Sequence, residues 1–91
     1  MKCENCKHAR LAVSEEARKE YVGCVKTDGI AYEDQKKLFD FLDKIEYTGK
    51  TVATGWIYTT YPNQGKPENG QMFSTCLLVE KKAKCKNFSK R

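Results

Sequence analysis

The chain has 91 residues, is 40% hydrophobic and 32% charged, and carries a formal net charge of +5. That length admits one domain at most, with a core thin enough to need a disulfide, a metal or a partner. No stretch approaches the roughly 18 consecutive apolar residues of a membrane-spanning helix.

Residues 1–8 hold a cysteine knuckle, Cys3-Glu4-Asn5-Cys6. Its spacing lets two sulfurs grip one centre while backbone N–H groups turn toward them. A redox dithiol of the same spacing normally follows a strand and opens a helix. No strand is expected before this pair, so metal ligation is the expectation. Nor does an apolar stretch follow Lys2, as a secretory signal would require. The expected compartment is the reducing cytoplasm, where clustered cysteines serve as metal ligands or redox groups more often than as disulfides.

Residues 9–13 read as a short extended link. Ser14 suits a helix N-cap, and Glu15 and Glu16 suit the first turn of a short helix running to about Tyr21. Gly23 is expected to release the chain, leaving Cys24 in a loop between helices. Asp28-Gly29 is a turn signal. Residues 32–46 carry the strongest helical pattern, with Leu38, Phe39, Phe41, Leu42 and Ile45 as an apolar stripe assigned to the core. Gly49 opens a β-rich half. Residues 50–60 and 71–80 are read as two strands, joined by a loop over 61–70 that holds both prolines, so an antiparallel hairpin is expected. Along the first strand Val52, Trp56 and Tyr58 share one parity, with Ala53 and Ile57 on the other. Residues 81–91, with Lys81, Lys82, Lys84, Lys86, Lys90 and Arg91, read as a solvated basic tail. An acidic protein surface or nucleic acid is the sharper reading of the same charges.

Five cysteines suit four ligands and one bystander. Cys3 and Cys6 supply the first pair and Cys24 the third sulfur. Cys85 is preferred as the fourth because it follows the last strand in a loop-like setting; Cys76 is the alternative, set in an apolar run where cysteine acts as a small hydrophobe. His8 is expected beside the ligands rather than among them. Four thiolates suit zinc or an iron–sulfur cluster. No second C-x-x-C pair is present, as zinc ribbons and rubredoxins would require. Trp56, Tyr58, Phe73, Tyr21 and Phe88 are available to shield a larger group, so a [4Fe–4S] cluster is preferred and Zn²⁺ is the alternative. One histidine and scattered serines make no triad, and there is no glycine-rich phosphate loop, so the chain is expected not to be an enzyme by itself. The expectation is thus a single small α+β domain over 1–91, stapled by a metal, with an N-terminal knuckle, one or two helices and an antiparallel hairpin.

The layout Cys3-x-x-Cys6, Cys24 and a terminal Cys85-Lys86-Asn87-Phe88 after an antiparallel pair resembles the small iron–sulfur subunits of glycyl-radical X-succinate synthases. The resemblance covers the two ends and the general size, and the helix at 32–46 and Cys76 depart from it. It implies a fold like a truncated high-potential iron–sulfur protein and a [4Fe–4S] cluster on Cys3, Cys6, Cys24 and Cys85. It also implies docking on a large catalytic subunit that adds a hydrocarbon to fumarate, whose stability and opening the small subunit influences. A stand-alone Cys₄ zinc module that binds nucleic acid or a protein is the competing expectation.

Overall fold

The computed structural model describes residues 2–27, 34–65 and 72–90, without the side chains of residues 72–75. Four strands form one antiparallel sheet: β1 (Ala9–Arg10), β2 (Tyr21–Cys24), β3 (Val52–Tyr58) and β4 (Met72–Glu80), in the order β1-β2-β4-β3. Two helices accompany them, α1 (Glu15–Arg18) and α2 (Gln35–Lys44), with 3₁₀ turns at Cys3–Asn5 and Val25–Thr27. The architecture is a small α+β domain, as expected. Among the described residues no helix is long and apolar enough to cross a membrane.

The expected pairing of the two long strands is present. β3 and β4 run antiparallel from Val52↔Val79 to Tyr58↔Met72, with a slip between Gly55 and Ile57 where two residues of β4 oppose Trp56. Such a bulge sharpens the local twist. Part of the expected connection, residues 66–70, lies outside the described residues, as does the Asp28-Gly29 turn.

Cys24 does not lie in a loop. It ends β2, which pairs with β4 from Tyr21↔Glu80 to Cys24↔Leu77. Gly23, read as a release point, is a strand residue under steric pressure: a Cβ there would collide with Ile57 Cγ2. Its missing side chain permits close approach rather than a chain reversal. The sheet is curled so that β2 and β3, separated by β4, touch on its inner face. Residues 9–13 draw its edges together. Ala9 and Arg10 pair with β2, while Leu11–Val13 reach the outer edge of β3 through Leu11 N–H to Thr60 O (2.8 Å), Tyr58 N–H to Leu11 O (2.8 Å) and Val13 N–H to Trp56 O (3.0 Å).

Strand alternation divides the apolar residues between two faces. Cys3, Cys6, Ala9, Val22, Leu77, Val79 and Ala83 form the outer-face core, against which Leu38, Leu42 and Phe88 pack. Ala12, Ile57, Cys76 and Leu78 form the inner one. Ser14 caps α1 by accepting from Ala17 N–H at 3.3 Å, and Asp34 caps α2 by accepting from Lys37 N–H at 3.2 Å. Both helices are shorter than the sequence suggests. α1 gives way to β2 at Tyr21, and residues 32 and 33 of the expected α2 lie outside the described residues. The stripe on α2 is also split: Ile45 is buried, whereas Phe39 is 57% exposed.

The basic segment is no loose tail. Lys81 N–H donates to Glu20 O (2.9 Å), Thr48 N–H to Lys84 O (3.0 Å), Lys86 N–H to Ile45 O (2.6 Å) and Lys7 N–H to Ser89 O (2.6 Å). Helix ends leave carbonyls that need donors, and Lys86 supplies one at the end of α2. Composition showed where the lysine side chains go, into solvent at 82, 84, 86 and 90, but not what their backbone holds.

Candidate metal centre

Four of the five cysteines arrive at one place from three parts of the chain. Cys3 opens the first 3₁₀ turn, and its N–H donates to Ala83 O at 2.8 Å, which ties the N-terminus to the segment after β4. Cys6 closes that turn through its N–H to Cys3 O at 3.1 Å. Cys24 is presented by β2. Cys85 stands in a turn closed by Phe88 N–H to Cys85 O at 3.2 Å, in the segment pinned against residues 45–48. Together with His8, Ala9, Val22, Gly23 and Val79 these four cysteines line a pocket of about 20 Å³ with almost no other polar surface. Cys76 is 2% exposed and belongs to the inner-face core. It is one residue from Leu77, whose side chain points to the cysteine side, so alternation turns Cys76 away. None of the five is in a disulfide.

The backbone around the sulfurs is arranged for thiolates. Cys6 Sγ accepts from His8 N–H at 3.5 Å and from Ser89 N–H at 3.4 Å. The Lys26 amide beside Cys24, and the Asn87 and Phe88 amides beside Cys85, act on those thiols in the same direction. Such donors favour the charged form of the acceptor. Without a cation they are outweighed. Burial, then the neighbouring Cys85, Cys24 and Cys6, pushes the Cys3 thiol up to about 12. Burial pushes Cys24 up to about 11 against the Lys26 amide, and burial likewise raises Cys85 against the Asn87 amide. Several like charges in one small volume cannot all ionise unless a positive charge joins them.

Among the described residues no group of three or more His, Cys, Asp or Glu side chains could hold a metal ion as it stands. Zinc at about 2.3 Å from each sulfur would require the four thiolates drawn tightly together.

His8 lines the pocket but is held neutral by partial burial and by Lys26, Lys7 and Arg10 nearby. Of the aromatics expected to shield the site, Phe88 packs against its core, Tyr21 packs on the inner face and Trp56 is 54% exposed. The side chain of Phe73 lies outside the described residues. Thr27 is a site-positioning residue that sequence reading missed. It is fully buried, donates to Cys24 O at 2.6 Å and accepts from Leu77 N–H at 2.8 Å, so it fixes the turn after Cys24 to β4. Its only sequence signal is a threonine three residues after a cysteine, a spacing at which the hydroxyl reaches back to the backbone. Compared with protein-family models, curated proteins and solved structures, the chain matches none.

Proposed function

We propose that this chain is a non-catalytic, metal-stapled module in which Cys3, Cys6, Cys24 and Cys85 hold one [4Fe–4S] cluster. The observation that carries this is the gathering of four thiols from both chain ends and a central strand around one nearly apolar pocket, with the fifth turned to the opposite face. The amides beside Cys6, Cys24 and Cys85 support thiolate ligation. When bound, such a cluster supplies folding energy and a one-electron redox centre. The chain's residues bind it, satisfy its thiolates with backbone N–H groups and keep water away with Val22, Val79 and Phe88.

In this reading the domain resembles a truncated high-potential iron–sulfur protein and acts in the cytoplasm as a small accessory subunit. It docks on a large glycyl-radical subunit that adds a hydrocarbon to fumarate and stabilises or gates it. Phe39 and Trp56, the large hydrophobic side chains left exposed among those described, supply anchors of the kind that make good interface centres. The lysines at 82, 84 and 86 supply a salt-sensitive rim. Zinc on the same four thiolates is the second reading, and with it a role as a nucleic-acid or protein-binding module.

Anaerobic purification with iron, sulfide and zinc analysis tests the reading. Four iron and four sulfide per chain with a broad absorption near ~400 nm are expected. One zinc and no colour moves the assignment to the second reading, and no stoichiometric metal defeats both. Co-purification with a large subunit in a glycyl-radical complex, weakened by Trp56→Ala, tests the docking role; a monomer unaffected by that change contradicts it.

A further inference from the structure

Among the four pocket cysteines one pair faces itself. The thiols of Cys3 and Cys85 are hydrogen-bonded to each other, whereas Cys6 Sγ is occupied by the amides of His8 and Ser89 and Cys24 Sγ by that of Lys26. The backbone holds the pair in register: Cys3 N–H donates to Ala83 O at 2.8 Å and Glu4 N–H to Lys81 O at 3.1 Å. Cys3 is 6% exposed, while Cys85 is half-buried and open to a small oxidant. Sequence spacing alone favours Cys3 with Cys6, since the shorter loop costs less entropy to close. The fold favours the pair drawn from opposite ends of the chain.

We infer that Cys3 and Cys85 form a redox pair, closing to a disulfide when a peroxide reaches the site. The chemistry balances with hydrogen peroxide as oxidant. Cys85 sulfur takes one oxygen to become a sulfenic acid and water leaves; Cys3 sulfur then attacks it, forming the S–S bond and releasing a second water. Two thiols are oxidised by two electrons and one peroxide is reduced. The disulfide removes two of four donors, so a bound metal is released, and it ties the N-terminal turn to the segment after β4. The metal-release half rests on the four-thiolate reading proposed above; the choice of pair does not.

The test uses the purified, folded full chain as it carries its metal. It is treated with stoichiometric hydrogen peroxide, alkylated, digested and mapped by mass spectrometry, with released metal followed by a chromophoric chelator. A Cys3–Cys85 cross-link is expected, with metal release in step with it and reversal of the cross-link by dithiothreitol. In urea the same oxidation should shift to Cys3–Cys6, because the fold no longer chooses. A Cys3–Cys6 cross-link in the folded protein, or thiol oxidation with no intramolecular cross-link, overturns the inference. A Cys3–Cys85 cross-link in a chain purified without metal keeps the pair and defeats the metal reading.

Discussion

The two faces of the curled sheet are built from the same strands and carry opposite chemistry. On the outer face Val22, Leu77 and Val79 make an apolar floor beside a pocket that four cysteines line. On the inner face Ile57, Leu78 and Ala12 pack around Cys76 so tightly that Gly23 has no room for a methyl group. A one-residue step along β4, from Cys76 to Leu77, decides which face a side chain serves. The contrast teaches that a strand cysteine's surroundings follow from parity: Cys24 turns to the pocket and Cys76 to the inner core.

The largest effects should come from the outer face. On the four-thiolate reading proposed above, in which the metal supplies much of the folding free energy of a thin core, Cys24→Ser and Cys85→Ser are expected to abolish metal binding and erase the cooperative thermal transition. Cys76→Ala should retain full metal content and cost only about 1 kcal/mol of packing. Metal analysis and melting of the three variants check this. Retention of metal in Cys85→Ser together with its loss in Cys76→Ala would reverse the roles assigned to the two faces.

Packing variants sharpen the comparison at the next level. Leu77→Ala, under the pocket, should cost about 2–5 kcal/mol. Gly23→Ala should cost about 1–3 kcal/mol, because its methyl would meet Ile57 and the curled strands have little room to part. Phe39→Ala should stay within about 0.5 kcal/mol in the isolated chain, since its ring is more than half exposed. Urea titrations of metal-loaded protein measure all three. If Gly23→Ala proved neutral, the inner face would be looser than its geometry indicates.

The smallest effect is in pH. Cys3 and Cys24 have folded-state values raised from 9.0 to about 12 and about 11. Folding therefore favours their protonated forms. In the metal-free, reduced chain that contribution is whole below about pH 9 and is lost as the pH rises toward 11–12. Metal-loaded protein should show the opposite slope in affinity, because binding expels the thiol protons. Denaturation midpoints of the reduced apo chain, with Cys3→Ala as the control, test this; identical slopes for the two would contradict the raised Cys3 value.

What could be read from sequence were the features set by local preference. Ser14 capping α1, the helix centred on 35–44, the two long strands and the knuckle all depend on near neighbours, so propensity and spacing reveal them. The expectation of Cys85 rather than Cys76 as the fourth ligand likewise rests on local setting, and of the two it is Cys85 that lines the pocket. Three features could not be read because each depends on residues far apart in the chain. β2 became a strand only because Glu80 to Leu77 lay beside it, overriding Gly23 as a breaker. The basic segment became structural only because Ile45 and Thr48 offered backbone partners. The gathering of Cys3, Cys6 and Cys85 at one pocket arose only when the segment after β4 was tied back to the first turn. Local sequence determines which element a residue prefers, since that preference lies in its own side chain and backbone. Which elements meet is decided by burial and by hydrogen bonds that exist only after the chain has closed on itself.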